Sequence, residues 1–145
     1  MNETRGPASI VVQRRIEWPD TDASGLWHNT AGFRFVEVAE TALLERLGML
    51  DDVYGRLPRR KIEAEFRLAL KFRDVLDVFI GVARVGRSSI DYAFELRRKD
   101  EIAMSADVTA VLLDPETRAP AEWPQQYRDL LMKAGPQSPE LLVVS

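Results

Sequence analysis

Cysteine is absent from the 145 residues, and histidine occurs once, as His28. The first absence excludes disulfide staples and thiolate metal ligation. The second leaves one imidazole where a zinc site needs several nitrogen or sulfur donors, so no metal is expected. A chain without thiols suits a reducing compartment, and the cytoplasm is the expected location. No apolar run reaches the roughly 18 residues of a membrane-spanning helix. The polar start, Met1 to Ala8 with Gly6 and Pro7, lacks the hydrophobic stretch of a signal peptide. Membrane insertion is therefore not expected. Positive charge is not in excess either: 20 Lys and Arg face 23 Asp and Glu, a formal net charge of −3. That balance argues against phosphate-backbone binding, and nucleic acid is not an expected partner.

What is present is the balance of a soluble globular protein, 46% hydrophobic and 30% charged. One domain over residues 1–145 is expected, with its core at about 9–133 and loose tails at 1–8 and 134–145. From Ser9 to Trp18, Ile10, Val12, Ile16 and Trp18 share one side of a period-two pattern, which predicts a strand. Pro19 stops it, and residues 20–25 form a polar loop. From Thr30 to Leu50, Phe33, Val36, Leu43 and Leu47 fall in one sector of a helical wheel, with Arg34, Thr41 and Glu45 opposite. This predicts a long helix that Asn29 or Thr30 caps, with a loop from Asp51 to Pro58.

Four strand-like runs follow: Arg60–Leu70, Val75–Val85, Ser89–Arg98 and Ile102–Asp114. The breaks at Arg73-Asp74, Gly86-Arg87 and Lys99–Glu101 are short enough for hairpins, hence an antiparallel meander. Pro124 opens a short helix through Met132. The tail from Gly135 reads as irregular, with Leu141–Val144 apolar enough to dock. An α+β architecture results, with one long helix against a five-stranded antiparallel sheet. One helix cannot cover both faces and edges of such a sheet, so a homo-oligomer is expected.

Chemistry concentrates just before the long helix. Asp20 and Asp22 stand in a short loop, followed by Ser24, Gly25, His28 and Asn29. The first N–H groups of a helix point outward unpaired, and its dipole favours negative charge there. A developing oxyanion is therefore matched by this end, with a carboxylate nearby as base or nucleophile. The same residue types also make an ordinary turn, and an acid before a helix is ordinary capping chemistry. Glu37 lies at the border of the helix's apolar stripe and Glu40 inside it. An acid facing a core needs a partner, so Glu40 is expected in a salt bridge or a subunit contact.

The run Arg15–Gly25, RIEWPDTDASG, followed by Phe33–Glu37, FRFVE, resembles hotdog-fold thioesterases of the 4-hydroxybenzoyl-CoA thioesterase type. Phe72–Asp74, Val85–Ile90 and Tyr92–Leu96 are similar to that family's central hairpins, and the resemblance covers about residues 9–127. It implies a hotdog fold and an acyl-CoA or acyl carrier protein substrate without a cofactor. It also implies a homodimer or homotetramer whose active sites lie between subunits. The second acid of the family's Asp-Thr-Asp loop falls on Asp22, which the resemblance implies is the catalytic carboxylate. A related branch uses a helix acid nine residues after a loop histidine, which lands on Glu37, and the N–H after that histidine, which is Asn29. Gly25, His28 and Thr30 beside them, and Arg59, Arg60, Ser88 and Ser89 further along, are candidate substrate-binding residues. The cluster Arg56, Arg59, Arg60 and Lys61 is a candidate for CoA phosphates. Where many relatives have Asn-Tyr or Ser-Tyr early in the helix, this chain has Ala31-Gly32, which implies a roomier pocket. The departure leaves a non-catalytic acyl-thioester-binding module, and beyond it a hotdog hydratase or dehydratase, as alternatives to hydrolysis.

Overall fold

The computed structural model describes residues 5–137. Its elements run β1 (Ser9–Arg15), a 3-10 turn (Trp18–Asp20), α1 (Asn29–Arg46), α2 (Leu50–Val53), β2 (Arg59–Phe66), β3 (Val75–Val85), β4 (Ser89–Arg98), β5 (Glu101–Val111) and α3 (Gln125–Lys133). The five strands form one antiparallel sheet in the order β1-β3-β4-β5-β2. Period-two alternation puts Ile10 and Val12, then Leu76, Val78, Ile80 and Val82, then Ile90, Tyr92, Phe94 and Leu96 on one buried face. α1 lies across that face, packed on β1 and β3 through Phe35, Val36, Ala39 and Leu43. Each large apolar side chain so enclosed contributes on the order of 1.5–3 kcal/mol. This helix-on-sheet arrangement is the one the hotdog resemblance implies.

Several expectations are corrected. β2 does not form a hairpin with β3; it crosses to the far edge and pairs with β5, Ile62 opposite Val108. It is also shorter than expected, because Leu70 to Asp74 are committed elsewhere. The Leu70 carbonyl accepts from Trp27 N–H, while Ile16 exchanges bonds with Arg73 and Asp74. β1 ends at Arg15, and Trp18, expected inward with Ile16, is 77% exposed. The cause is the 3-10 turn: Pro19 breaks the ladder and Asp20 Oδ2 accepts from Glu17 N–H at 2.7 Å. α1 stops at Arg46 rather than at Leu50, because Gly48 takes φ +72°. The segment read as a loop after Leu50 then holds the single turn of α2. β5 ends at Val111, short of Asp114, where Leu113 turns to bridge Pro120.

The described parts of the two tails are anchored rather than loose. Ala8 is buried and donates its N–H to the Leu131 carbonyl. The Arg46 guanidinium donates to the carbonyls of Ser9, Ala134 and Gly135 at 2.7–3.1 Å, tying the end of α1 to both segments. Leu141–Val144 lie outside the described residues. Among the described residues no helix is long and apolar enough to cross a membrane.

Candidate active site

The loop between the 3-10 turn and α1 is a small closed hairpin. Asp22 N–H donates to the Leu26 carbonyl, Gly25 N–H to the Asp22 carbonyl, and Thr21 bridges Trp27. Gly25 turns this loop at φ +84°, a left-handed conformation that suits glycine. The two acids have different surroundings. Asp20 is 4% exposed: besides Glu17 N–H it accepts from the Arg34 guanidinium, so it clamps the 3-10 turn to the second turn of α1. Asp22 is exposed and accepts from both the N–H and the hydroxyl of Ser24. These Ser24 bonds, with His28 adding a smaller electrostatic share, hold the Asp22 carboxyl below its ordinary range. Asp22 is therefore ionised at neutral pH.

His28, not Asn29 or Thr30, is the N-cap of α1, and no side chain caps this end. The reason is local: His28 N–H donates to the Asp20 carbonyl at 2.8 Å while its own carbonyl accepts from Ala31 N–H, so helical geometry begins at Asn29. The N–H groups of Asn29 and Thr30 are thus in the first turn, whose dipole favours an anion. Asp22, Ser24, Trp27, Asn29, Phe66 and Leu68 line one cavity of about 330 Å³. A carboxylate that is ionised at neutral pH and the positive end of an 18-residue helix share this space. Phe66, at the end of β2, meets Trp27 and Phe33 edge-on at 6.0 and 5.8 Å and forms its apolar side. The expected extra room at Ala31-Gly32 is filled: a Cβ on Gly32 would come within 2.5 Å of Met104 Sδ.

The other candidates are not brought to this cavity within one chain. Glu37 is exposed two turns along α1, roughly 12 Å from the helix start at 1.5 Å per residue. Ser88 and Ser89 lie at the β3–β4 turn, at the opposite end of the 11-residue β3 and roughly 30 Å away by strand rise. There the Ser88 carbonyl accepts from Leu112 N–H and the Ser89 carbonyl from Trp123 Nε1. Arg59 and Arg60 open β2 at that same end, since Arg59 pairs with Ala110 and Ser89 with Val111. The basic cluster is divided: Arg59 pairs with Glu40 at 2.6 Å and Arg56 binds Asp52 and the Leu113 carbonyl, which leaves Arg60 and Lys61 on the surface. The Glu40 salt bridge is the one expected for an acid inside the apolar stripe. Asp20 as a clamp was not foreseen; the Glu17-x-x-Asp20 spacing of a capping box was the available signal.

The chain belongs to the Thioesterase-like superfamily, which residues 16–131 match. Acyl-thioester hydrolysis is the activity that membership assigns. Among relatives, a 1,4-dihydroxy-2-naphthoyl-CoA hydrolase of Prochlorococcus marinus is 25% identical over 121 residues, 75% of this chain and 80% of that protein. A 1,4-dihydroxy-2-naphthoyl-CoA thioesterase from Synechocystis superposes with a TM-score of 0.74 at 18% identity, over 85% of this chain and 95% of that one. An aspartate-to-asparagine variant of 4-hydroxybenzoyl-CoA thioesterase, in complex with 4-hydroxybenzoyl-CoA, superposes with a TM-score of 0.76 at 21% identity, over 85% and 98% of the two chains. The fold is the hotdog fold of these thioesterases.

Proposed function

We propose that this chain cleaves an acyl-CoA thioester to the free acid and thiol, with Asp22 as the catalytic carboxylate and Asn29 N–H holding the carbonyl oxygen. One observation carries the assignment: Asp22 and Asn29 line the same cavity at the positive end of α1. As the tetrahedral intermediate forms, the oxygen gains negative charge, which outward-pointing N–H groups stabilise in the transition state more than in the ground state. Asp22 activates a water, or attacks the carbonyl carbon itself to give an anhydride that water then cleaves. Either way the C–S bond breaks and the thiolate takes a proton from solvent. No metal or redox group is required, because a thioester is already activated. The named relatives act on CoA esters of hydroxylated aromatic acids, which favours CoA over an acyl carrier protein. The absence of cysteine supports a cytoplasmic location.

The active unit is a homodimer paired through β2. This strand is a sheet edge, exposed from Arg60 to Glu65. Its sequence RRKIEAEF is basic first and acidic last, so antiparallel self-pairing sets Arg60 and Lys61 of one copy against the Glu63–Glu65 stretch of the other. Such pairing carries the Asp22 cavity, at the Phe66 end of β2, to the Arg59 end of the partner. Glu37, Arg59, Arg60 and Ser88–Ser89 of the partner are then the residues nearest the substrate. The test is incubation with a panel of acyl-CoAs while free thiol is followed. Thiol release supports hydrolysis, water addition without release indicates a hydratase, and binding without turnover indicates a non-catalytic module.

A further inference from the structure

Seven large hydrophobic side chains are exposed among the described residues, and four of them, Trp18, Leu26, Phe72 and Val75, gather at one end of the sheet. Backbone bonds bring them together. Ile16, two residues before Trp18, exchanges bonds with Arg73 and Asp74, Leu26 bridges Lys71, and Val75 stands opposite Arg15. Trp18 is 77% exposed on the 3-10 turn, and Phe72 is 49% exposed on the Lys71–Asp74 turn. That second turn closes by Asp74 N–H donating to the Lys71 carbonyl at 3.0 Å, so Phe72 and Arg73 occupy its two corners. Arg73 is held there at φ +78°, a conformation that favours glycine and costs an arginine free energy. Aromatic side chains so exposed add little to the core, and their clustering marks a contact surface.

The charges around this patch are unequally engaged. Its acids are held by the chain itself: Glu17 caps the 3-10 turn, Asp20 holds Arg34, Asp22 accepts from Ser24, and Asp74 accepts from Arg98 at 3.1 Å and Lys71 N–H at 3.0 Å. The cations Arg15, Lys71 and Arg73 form no ion pair with a described residue. Exposed Trp, Phe and Leu beside unpaired cations match the boundary layer of an anionic bilayer. There aromatic rings sit at the headgroup level, and Lys and Arg meet lipid phosphates. We propose that this end of the molecule docks on an anionic lipid surface, with Trp18 and Phe72 in the headgroup layer and Arg15, Lys71 and Arg73 on its phosphates. A second copy of the chain is a poorer match. It would set these cations against one another, and four apolar side chains fall short of the roughly 800 Å² per partner of a stable interface. Leu26 also lines the Asp22 cavity, so the docked protein holds the mouth of that cavity at the lipid surface. The contact uses side chains of two turns and no spanning segment, and it stands whether or not the chain hydrolyses thioesters.

Trp18 supplies its own reporter, because Trp27 and Trp123, the other two tryptophans, are buried. The full chain is mixed with vesicles of phosphatidylcholine alone or with phosphatidylglycerol added, and tryptophan emission and co-sedimentation are followed. Anionic vesicles should bind the protein, shift Trp18 emission to the blue and, when their acyl chains are brominated, quench it. Neutral vesicles should bind at least about tenfold more weakly. Each cation near an anionic surface is worth about fivefold in affinity, so Lys71→Glu/Arg73→Glu should weaken binding by at least about 25-fold. Trp18→Ala/Phe72→Ala should weaken it by at least about tenfold. Arg84→Glu/Arg87→Glu, the same change of charge at the far end of β3, should leave it unchanged. All six side chains are exposed, so the fold should persist, which circular dichroism checks. No binding to anionic vesicles, equal loss in both charge-reversed variants, or co-sedimentation with Trp18 unquenched overturns the proposal. Self-association in place of lipid binding, abolished by Trp18→Ala/Phe72→Ala, overturns it too and assigns the patch to a second copy.

Discussion

Replacing Asp20 and replacing Asp22, two residues apart in one loop, should produce opposite phenotypes. Asp20→Ala deletes the acceptor of Glu17 N–H and the partner of Arg34 in a site where Asp20 is 4% exposed. A hydrogen bond to a buried charge is worth about 1.5–3 kcal/mol, and the stranded N–H adds desolvation cost. The Arg34 pair adds at most about 1 kcal/mol, because the arginine side chain is 54% exposed and solvent screens it. The total is about 3 kcal/mol, which for 145 residues lowers Tm by roughly 6–12 °C. Asp22 is exposed and bonded only within its own loop, so Asp22→Asn should leave Tm where it was while abolishing turnover. Thermal denaturation of both variants, beside thiol release, is the assay. An Asp20→Ala midpoint within about 2 °C of the native value would refute the clamp, since even one lost charged hydrogen bond exceeds that shift.

Ser24→Ala removes both the hydroxyl bond and its share of the low Asp22 pKa, so the acid limb of the kcat/KM–pH profile should move upward in pH. A depressed carboxylate pKa preserves activity down to acid pH and loses it only as pH falls through that value; an unmoved limb in Ser24→Ala would assign the limb to another group. Arg60→Glu/Lys61→Glu leaves Arg59, already paired with Glu40, as the one base of β2, so self-paired strands repel, and sedimentation at micromolar concentration should show monomer where the native protein is expected to be a dimer. A dimer that survives this reversal places the interface elsewhere.

The bounds of β3 and β4 were legible in the sequence because each alternates cleanly between turn residues. The neighbour of β2 was not. Periodicity identifies a strand but not its partner, and the short break before β3 read as a hairpin until Leu70–Asp74 were seen bonded to Ile16 and Trp27. Glu40 announced itself as an acid inside an apolar stripe, whereas Arg59, in the run RRK, read as a candidate for CoA phosphates; only the fold shows it paired with that acid. Tyr92 looked like any strand aromatic, and its nearness to Glu40 spans 52 residues of sequence. Asp22 and Asn29 were legible as a pair because both lie within eight residues of one loop–helix junction. Glu37 and the Ser88–Ser89 turn are separated from that junction by distances that no single chain closes, and the proposed β2 pairing is what would bring them near it.

The most direct measurement is thiol release from 4-hydroxybenzoyl-CoA by the native protein, Asp22→Asn and Glu37→Gln under identical conditions. Asp22→Asn keeps the shape of the side chain but removes its charge, and turnover should fall by at least about a hundredfold, the scale of a lost general base, with substrate binding largely kept. Glu37→Gln should cost less, since in the proposed dimer it assists from the partner's helix. Asp22→Asn near native activity beside an inactive Glu37→Gln would contradict the account and transfer the chemistry to the helix acid.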